Sequence, residues 1–526
     1  MKKVFLSMLF VLFGYVLCAQ QIFQKSYYID SNATSTGDAF VQLSNGGYLL
    51  AGSSSSSPNT GSNYILRVNS MGDVVWSKPY SSPWRNLTSD IDKVNDTNNV
   101  LTGWSIFLGA NSIYYSPSFL CLLDFAGNIV WCKSTLDTVS YEQFRFYKTW
   151  VVKNSIYTVG SSRIIDSTNN LYNDSLERMV FAKFDLNGQL LWAKKYETFV
   201  RTTVNDFITT PDSGFLFTGV LRTYDWVSPS ANLFYFKTDS NGVLQWGFQS
   251  DSIQGEEAKT LLDDGTGYLI GGIKLFTIDQ DGFVFKTDYS GNILWQKRYG
   301  NIGTGSDDVR CLVKLPNNYF SFTNVLSPKV LDSVGNVLNN HGYNNDGYGI
   351  QNYLTSDLNG AICGIGKSKS RMYVFRTDSL LNACLHVSSG PSPFNSNLQV
   401  NQISHFFSDT LVNIPNSSFS LIDNLISTTD SITCESATGN EFINSKTNEV
   451  LIYPNPVNDY CTVELKNKQF NNLFINLIDV SGRIVFKYKF YNSSSAKINM
   501  LPLNPGFYFL QINNTYFKIR LVKLKP

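Results

Sequence analysis

A phrase that ends in tryptophan recurs five times in this chain. Each copy has the form Asp/Asn-x-x-Gly-x-x-x-Trp, and the tryptophans stand 55, 61, 54 and 49 residues apart. Self-similarity at such a period indicates supersecondary units that stack or pack radially, because one unit cannot bury its apolar face alone. The five repeat tryptophans are Trp76, Trp131, Trp192, Trp246 and Trp295.

Each unit has the same order of short apolar runs. In the first unit, runs at 39–43, 48–52 and 64–68 are separated by turn residues and precede the tryptophan run. Four antiparallel strands in about 50 residues describe a propeller blade. Two weaker copies without tryptophan follow at 307–336 and 347–385. The sequence therefore predicts an all-β fold with a β-propeller of about seven blades over residues 21–387, and six or eight blades stay open.

The residues of the repeated phrase have predictable structural roles. The Asp carboxylate can accept backbone amides within the turn, and Gly takes the left-handed conformation that closes a short hairpin with a bulge. The tryptophan then packs a large apolar area between neighbouring blades. The phrase resembles repeats of bacterial surface proteins and, more distantly, quinoprotein blades, so docking for a quinone cofactor is the alternative. We predict a structural role for the tryptophans and no cofactor.

Three short segments mark the C-terminal end of the chain. They are 451–456 (LIYPNP), 478–483 (IDVSGR) and 503–510 (LNPGFYFL), and the chain closes on Lys523-Leu524-Lys525. This succession resembles the type A C-terminal sorting domain of proteins that Bacteroidota export by the type IX (Por) secretion system. The residues that carry the resemblance are Pro454, Asn455, Pro456, Gly482, Arg483, Gly506 and Tyr508.

The resemblance implies a small Ig-like β-sandwich over residues 448–526 that the type IX machinery recognises as an export signal. The chain would then be secreted or held on the outer-membrane surface after crossing the periplasm. The charge distribution agrees with this resemblance. From Val450 onward there are ten Lys and Arg residues but only three Asp and Glu residues, although the net charge of the whole chain is only +1. A basic terminal module suits a segment that transport machinery reads.

The N-terminal end predicts export as well. Lys2 and Lys3 precede an apolar run from Val4 to Leu17, and residues 17–19 form an acceptable cleavage site. We therefore predict a signal peptide at 1–19 and no transmembrane segment in the mature chain. Residues 388–447 are rich in Ser, Asn and Pro. We interpret them as a partly ordered connector between the propeller and the sorting domain.

Acidic residues recur near the predicted blade starts. Equivalent positions of a propeller form a ring, so these carboxylates would crowd at one mouth and bind Ca²⁺, or each would cap the backbone of its own blade. The weak metal candidates are Asp38, Asp90, Asp206, Glu257 and Asp308.

Seven of the eight cysteines follow the predicted cleavage site. An exported chain can oxidise them. Cys121 and Cys132 flank one predicted hairpin, and Cys384 and Cys434 bracket the connector. We name these two pairs as disulfide candidates.

Two classes of function remain from the sequence. The first is a non-catalytic surface or secreted protein that binds or adheres to glycan or protein ligands. The second is an exported glycan-active hydrolase or lyase, which needs carboxylates that converge on one mouth. The chain has only three histidines, none near another, and its acids are spread evenly. We therefore favour binding, name no catalytic residue, and expect no nucleic-acid partner.

Overall fold

The computed structural model describes most of the chain after residue 20. The described residues are 21–28, 34–57, 60–109, 114–136, 142–166, 171–172, 177–197, 200–223, 230–250, 255–274, 280–300, 308–323, 328–340, 353–356, 361–368, 371–377, 393–395, 400–402, 408–411, 417–418, 422–423, 429–437, 450–453, 459–465, 470–479, 484–493, 495–503, 506–512 and 515–523. The predicted signal peptide lies outside them. The chain divides into two compact units, 1–438 and 439–526.

The first unit is a seven-bladed β-propeller, as the sequence predicts. Blade 1 has β2 (Thr34–Gln42), β3 (Tyr48–Ser57), β4 (Thr60–Val68) and β5 (Val74–Ser81). Blade 2 has β6 (Arg85–Lys93), β7 (Asn98–Leu108), β9 (Ser118–Asp124) and β10 (Ile129–Ser134), and the short β8 (Tyr114–Tyr115) pairs with β7. Blade 3 has β11 (Glu142–Val152), β12 (Ser155–Asp166), β14 (Arg178–Asp185) and β15 (Leu190–Glu197), and the short β13 (Leu171–Tyr172) pairs with β12.

The remaining blades repeat the pattern, and the strands of blade 6 are only four residues long. Blade 4 has β16 (Arg201–Thr209), β17 (Phe215–Thr223), β18 (Ser230–Thr238) and β19 (Leu244–Ser250), and blade 5 has β20 (Glu256–Asp263), β21 (Tyr268–Lys274), β22 (Gly282–Thr287) and β23 (Ile293–Tyr299). Blade 6 has β24 (Cys311–Lys314), a 3₁₀ turn at Pro316–Asn318, β25 (Phe320–Thr323), β26 (Pro328–Leu331) and β27 (Val337–Asn340). Blade 7 has β28 (Tyr353–Ser356), β29 (Ile362–Ser368) and β30 (Arg371–Arg376).

The first strands of the seven blades close a ring. β2, β6, β11, β16, β20, β24 and β28 contact one another in that order, and β28 returns to β2. The N-terminal strand β1 (Gln21–Tyr28) supplies the fourth strand of blade 7, with Phe23 opposite Arg376 in an antiparallel register. The two ends of the propeller therefore share a blade, which fastens the ring with strand pairing between distant parts of the sequence.

The segment predicted as a connector adds a fifth strand to six blades. Its strands are β31 (Pro393–Asn395), β32 (Val400–Gln402), β33 (Ser408–Leu411), β34 (Ser417–Ser418), β35 (Ile422–Asp423) and β36 (Thr429–Ala437). They pair in turn with β23, β19, β15, β10, β5 and β1. The segment thus runs backwards around the outer edge of the propeller, and we call β31–β36 the belt. Unpaired edge strands invite association, and the belt covers part of these edges.

The repeated turn joins each blade to the blade before it. Gly127 has φ +75°, and a Cβ there would stand 2.6 Å from the Trp76 ring of blade 1. The Tyr80 hydroxyl donates to the Gly127 carbonyl oxygen over 2.6 Å. Corresponding hydrogen bonds from the fourth strand join Tyr27 to Gly72, Tyr196 to Gly242 and Tyr299 to Gly335. In blade 4 the donor to the Gly291 carbonyl oxygen is Tyr235, on the third strand. The turn glycine therefore provides both the left-handed backbone and the space for the neighbouring tryptophan.

The second unit contains two antiparallel sheets. One sheet pairs β37 (Val450–Tyr453), β38 (Tyr460–Leu465) and β41 (Ser495–Asn499). The other pairs β40 (Ile484–Ser493), β39 (Phe470–Asp479), β42 (Gly506–Ile512) and β43 (Thr515–Lys523). Across the two sheets, the Tyr488 hydroxyl donates to the Asn499 carbonyl oxygen over 2.9 Å. In the residues that the structure describes, no helix is long and apolar enough to cross a membrane.

Candidate functional site

The ring of first strands encloses a cavity of about 430 Å³ to which all seven blades contribute. Its charged lining consists of Asp90, Asp92, Lys148, Asp206 and Asp263. Apolar side chains make up much of the rest, and a cavity of this kind with a few convergent polar groups is the default site for a ligand.

Lys148 is the cation of this cavity. Its ammonium pairs with the carboxylate of Asp206, and the Lys148 side chain is 18% exposed. Burial lowers the pKa of Lys148, but the carboxylates of Asp206 and Asp90 outweigh burial and raise it. Lys148 is therefore a charged ammonium at neutral pH and not a nucleophilic amine.

The position of Lys148 follows from strand register. Each of β2, β6, β11, β16 and β20 is irregular at one point, and the residue just after it is Ala39, Asp90, Lys148, Asp206 and Thr260 in turn. Lys148 therefore occupies in blade 3 the place that Asp90 and Asp206 occupy in the flanking blades. This alternation of sign brings one cation between two carboxylates.

The cavity carboxylates also tie neighbouring blades together. Asp90 Oδ2 accepts the Thr149 amide of blade 3 over 2.9 Å, and Asp206 Oδ2 accepts the Leu261 amide of blade 5 over 2.8 Å. Asp92 Oδ2 accepts the Val151 amide over 2.6 Å. Hydrogen bonds from backbone amides to a carboxylate are charge-assisted and relatively strong. These acids consequently hold adjacent blades in register.

Burial raises the pKa of Asp90 to about 7, although Lys148 and the Thr149 amide act in the opposite direction. A carboxyl whose pKa is higher in the folded protein than its ordinary 3.8 binds its proton more tightly when folded. Its contribution to stability is therefore lost as the pH rises from about 4 to about 7.

We expect Asp90→Asn to remove this pH dependence. Between pH 4 and 7, the free energy of unfolding of the wild type should fall by up to about 4 kcal/mol relative to that of Asp90→Asn. Above pH 7 the difference between the two proteins should stay constant. Urea denaturation at four pH values measures it. A difference that is flat across this range would contradict the raised pKa of Asp90.

The five predicted metal candidates do not form one ring. Only Asp90 and Asp206 take equivalent places, whereas Asp38 stands at the irregular position of β2 and Glu257 lies before that of β20.

Each of the other three candidates is also engaged. Asp38 accepts the Ser53 hydroxyl, Asp308 pairs with Arg310, and Glu257 pairs with Arg222 and Lys259. In the described part of the chain, no three His, Cys, Asp or Glu side chains come together as a metal site would require. These contacts favour a structural role, and Ca²⁺ binding stays a prediction.

The structure tests one of the two predicted cysteine pairs. Cys121 and Cys132 are opposed on β9 and β10 and are joined by a disulfide. Cys384 lies outside the described residues, and Cys434 is opposite Gln24 in the backbone pairing of β36 with β1, so that pair stays a prediction. Cys311 borders the cavity as a free thiol, and burial raises its pKa to about 11. A thiol with so high a pKa is a poor nucleophile.

The C-terminal unit carries the decisive comparison. Residues 451–522 match the model of a family described as the secretion system C-terminal sorting domain. This segment is a type IX sorting domain. Of the residues that carry the sequence resemblance, Gly506 and Tyr508 lie on strand β42 of the sorting domain, and 454–456 and 482–483 lie outside the described residues. The sorting domain marks the chain for export by type IX secretion to the cell surface or the medium.

A curated relative matches over a short length. An endo-acting ulvan lyase from Formosa agariphila is 33% identical over 79 residues, which are 14% of this chain and 15% of the relative. The chain therefore spans only a small part of that relative.

Solved propellers are more distant in sequence. A catalytically inactive virginiamycin B lyase from Staphylococcus aureus is 11% identical with a TM-score of 0.40, covering 67% of this chain and 98% of its own. An α-L-arabinanase from Penicillium chrysogenum is 11% identical with a TM-score of 0.34, covering 68% of this chain and 98% of its own. Likeness at this level is shared by proteins of unrelated function.

Proposed function

We propose that this chain is a secreted or surface-held, non-catalytic β-propeller that binds glycan or protein ligands outside a Bacteroidota cell. In this proposal a signal peptide at 1–19 directs it to the periplasm, and the sorting domain directs it onward. The observation that carries the proposal is that the carboxylates of the cavity already have interaction partners within the propeller. Asp90 and Asp206 interact with backbone amides of the next blade and with Lys148. Their carboxyl groups therefore hold adjacent blades together and are not set aside for a substrate.

The alternative is a glycan-active hydrolase or lyase. One observation favours it, because a buried Asp90 with a pKa of about 7 exchanges a proton near neutral pH, as a general acid or base must. Such an enzyme needs Asp90 for turnover. Loss of depolymerising activity in Asp90→Asn, with binding retained, would support the enzyme and oppose our proposal.

Glycan-array binding tests the proposal directly. The mature chain (residues 20–526) is applied to the array with calcium and again with a chelator. We expect specific, saturable binding in both conditions, since the described acids are engaged by cations and amides. Loss of binding with chelator would show that the acids hold Ca²⁺ after all. A blank array in both conditions would remove glycans as ligands and leave protein partners.

A further inference from the structure

The lining of the central cavity has two layers. The deeper one contains Asp90, Lys148 and Asp206, each just after the irregular point of its strand. Two residues further along β2, β6, β11, β16 and β20, a second set of side chains also lines the cavity. Because side chains alternate along a strand, residues two apart share a face, and the two sets form successive layers. The second set, which we call the upper layer, consists of Val41, Asp92, Trp150, Ile208 and Leu262.

Asp92 and Trp150 are neighbours in this otherwise aliphatic upper layer. Their strands are adjacent in the ring, and Asp92 Oδ2 accepts the amide of Val151, the residue after Trp150, over 2.6 Å. The Trp150 ring packs edge-on against Phe207 with centroids 6.5 Å apart, and Trp150 is 36% exposed. The wall of the cavity therefore presents an accessible aromatic ring beside a carboxylate.

The Asp92 carboxylate has acceptor capacity left for a ligand. Its Oδ1 accepts the Lys93 amide over 2.8 Å, and its Oδ2 accepts the Val151 amide. An ionised carboxylate offers about four lone-pair sites, so each oxygen of Asp92 can accept a second donor. Burial raises the pKa of Asp92 to about 6, and the group is still mostly ionised at pH 7. Asp92 can therefore hold a cationic hydrogen-bond donor from solution.

The charge of the lining selects the sign of the ligand. Four carboxyl groups and one ammonium line the cavity, from Asp90, Asp92, Asp206, Asp263 and Lys148. The carboxylates outnumber the cation even when Asp90, with its pKa of about 7, is protonated. A cleft of one sign concentrates ligands of the opposite sign, and like charge is costly. The cavity consequently disfavours uronates, sulfates and phosphates and favours a group with positive charge.

Neutral polar side chains complete the lining. Gln42, Thr209 and Thr355 all line the cavity and are partly exposed. Among the described residues, none of these three side chains has a hydrogen-bond partner. A few convergent amide and hydroxyl groups on a largely apolar wall fix the orientation of a bound molecule. Groups of this kind match the hydroxyls of a sugar.

We propose that the upper layer binds an amino-sugar unit of a glycan, with the ammonium at Asp92 and the pyranose ring on Trp150. A pyranose has a flat face of C–H groups that packs on an aromatic ring, and its hydroxyls are then free to meet the neutral polar groups. A lysine side chain would satisfy Asp92, but its methylene stem makes no use of those neutral groups. This inference rests on the proposed binding function and gives it a ligand class and a place.

Isothermal titration calorimetry of the mature chain (residues 20–526) tests the site. The probes are the tetramer of β-1,4-linked glucosamine and its fully N-acetylated form, which has the same rings and no ammonium. We expect the wild type to bind the amine form at least about tenfold more tightly. Asp92→Asn should remove most of that preference and leave affinity for the N-acetylated form nearly unchanged, because charge-assisted hydrogen bonds are the stronger ones.

Substitutions of Trp150 test the stacking contact separately. Trp150→Ala should weaken binding of both tetramers about fivefold, since the lost aromatic contact does not depend on the amine. Trp150→Phe should restore most of this loss. The melting temperature of each variant shows whether it is folded, and the comparison of the two tetramers within one variant is independent of its stability.

Asp96→Asn is the matched control. It removes the same charge from blade 2, but Asp96 is not among the residues that line the cavity and its side chain is 70% exposed. We expect this variant to bind both tetramers as the wild type does. If Asp96→Asn weakened binding as much as Asp92→Asn, general charge attraction would explain the preference and the site would be overturned.

Each other result has a defined meaning. Equal affinity of the wild type for the two tetramers, or unchanged binding in both Asp92→Asn and Trp150→Ala, would overturn the site while the binding function stands. Tighter binding of trilysine than of the glucosamine tetramer, lost in Asp92→Asn, would assign the cavity to a protein ligand and overturn the amino sugar. Binding of neither tetramer would also overturn it, and the glycan array then decides the proposed function separately.

Discussion

A chain that ends at residue 392 should fail to form a stable propeller, whereas a chain that ends at 438 should unfold as one cooperative unit. The first truncation removes the whole belt, and the second removes only the sorting domain. Eight residues of β36 pair with β1, so β1 would lose one of its two neighbours. At about 1 kcal/mol for each net hydrogen bond, the lost pairing should cost on the order of 5 kcal/mol or more.

Thermal and urea unfolding of the two truncated chains measures this effect, with light scattering to detect association through uncovered strand edges. The chain that ends at 438 is the matched control, since it keeps every strand of the propeller unit. Equal melting temperatures for the two chains would show that the belt does not stabilise the propeller. Residues 388–447 would then be a simple connector.

Lys148→Met should be the most damaging single substitution in the cavity. It leaves the carboxylates of Asp206 and Asp90 in a largely buried site without their cation. Removal of one partner from a buried ion pair typically costs about 3–5 kcal/mol, because the remaining charge is uncompensated. Urea denaturation at pH 7.5 should show a loss of this size in the free energy of unfolding.

Lys93→Met is the matched control for that substitution. Lys93 pairs with Asp96, whose side chain is 70% exposed. Exposed pairs contribute about 0–1 kcal/mol, so this variant should stay close to the wild type. If Lys148→Met were as stable as Lys93→Met, the ion pair in the cavity would not be a structural element of the ring.

The sequence predicted the parts of the fold that repeat. The tryptophan phrase placed five blades, because Asp124 and Gly127 and their counterparts dictate the turn locally. The sixth and seventh blades lack the tryptophan, and their apolar strands still indicated them. The sorting domain was predicted from short segments at the C-terminal end, and the family match confirmed it.

The belt and the N-terminal strand of blade 7 could not be predicted in the same way. Belt strands are as short as the two residues of Ser417–Ser418, and they pair with residues hundreds of positions away, such as Ser134. Five of the six belt strands have only two to four residues, too few for alternation to give a periodic signal. The sixth, β36, has nine residues, but it pairs with β1 from the other end of the propeller sequence. Their pairing is set by the outer edges of blades that exist only after the propeller has formed.

The candidate site was only partly visible in the sequence. Asp90 and Asp206 stood out as recurring acids, but Lys148 did not, because a lone lysine in an aromatic run has no motif. One signal could have shown it. When the blades are aligned on the strand irregularity instead of the tryptophan, Lys148 falls at the position of Asp90 and Asp206.

Binding without turnover is the central claim, and one measurement tests it most directly. The mature chain is incubated with the polysaccharide that it binds, and the length of the polysaccharide is followed by size-exclusion chromatography, with reducing ends and unsaturated products quantified. We predict saturable binding and an unchanged chain length, because Asp90 and Asp206 are held by Lys148 and by backbone amides. Shortening of the polysaccharide that is abolished in Asp90→Asn would contradict the account and make the chain an enzyme.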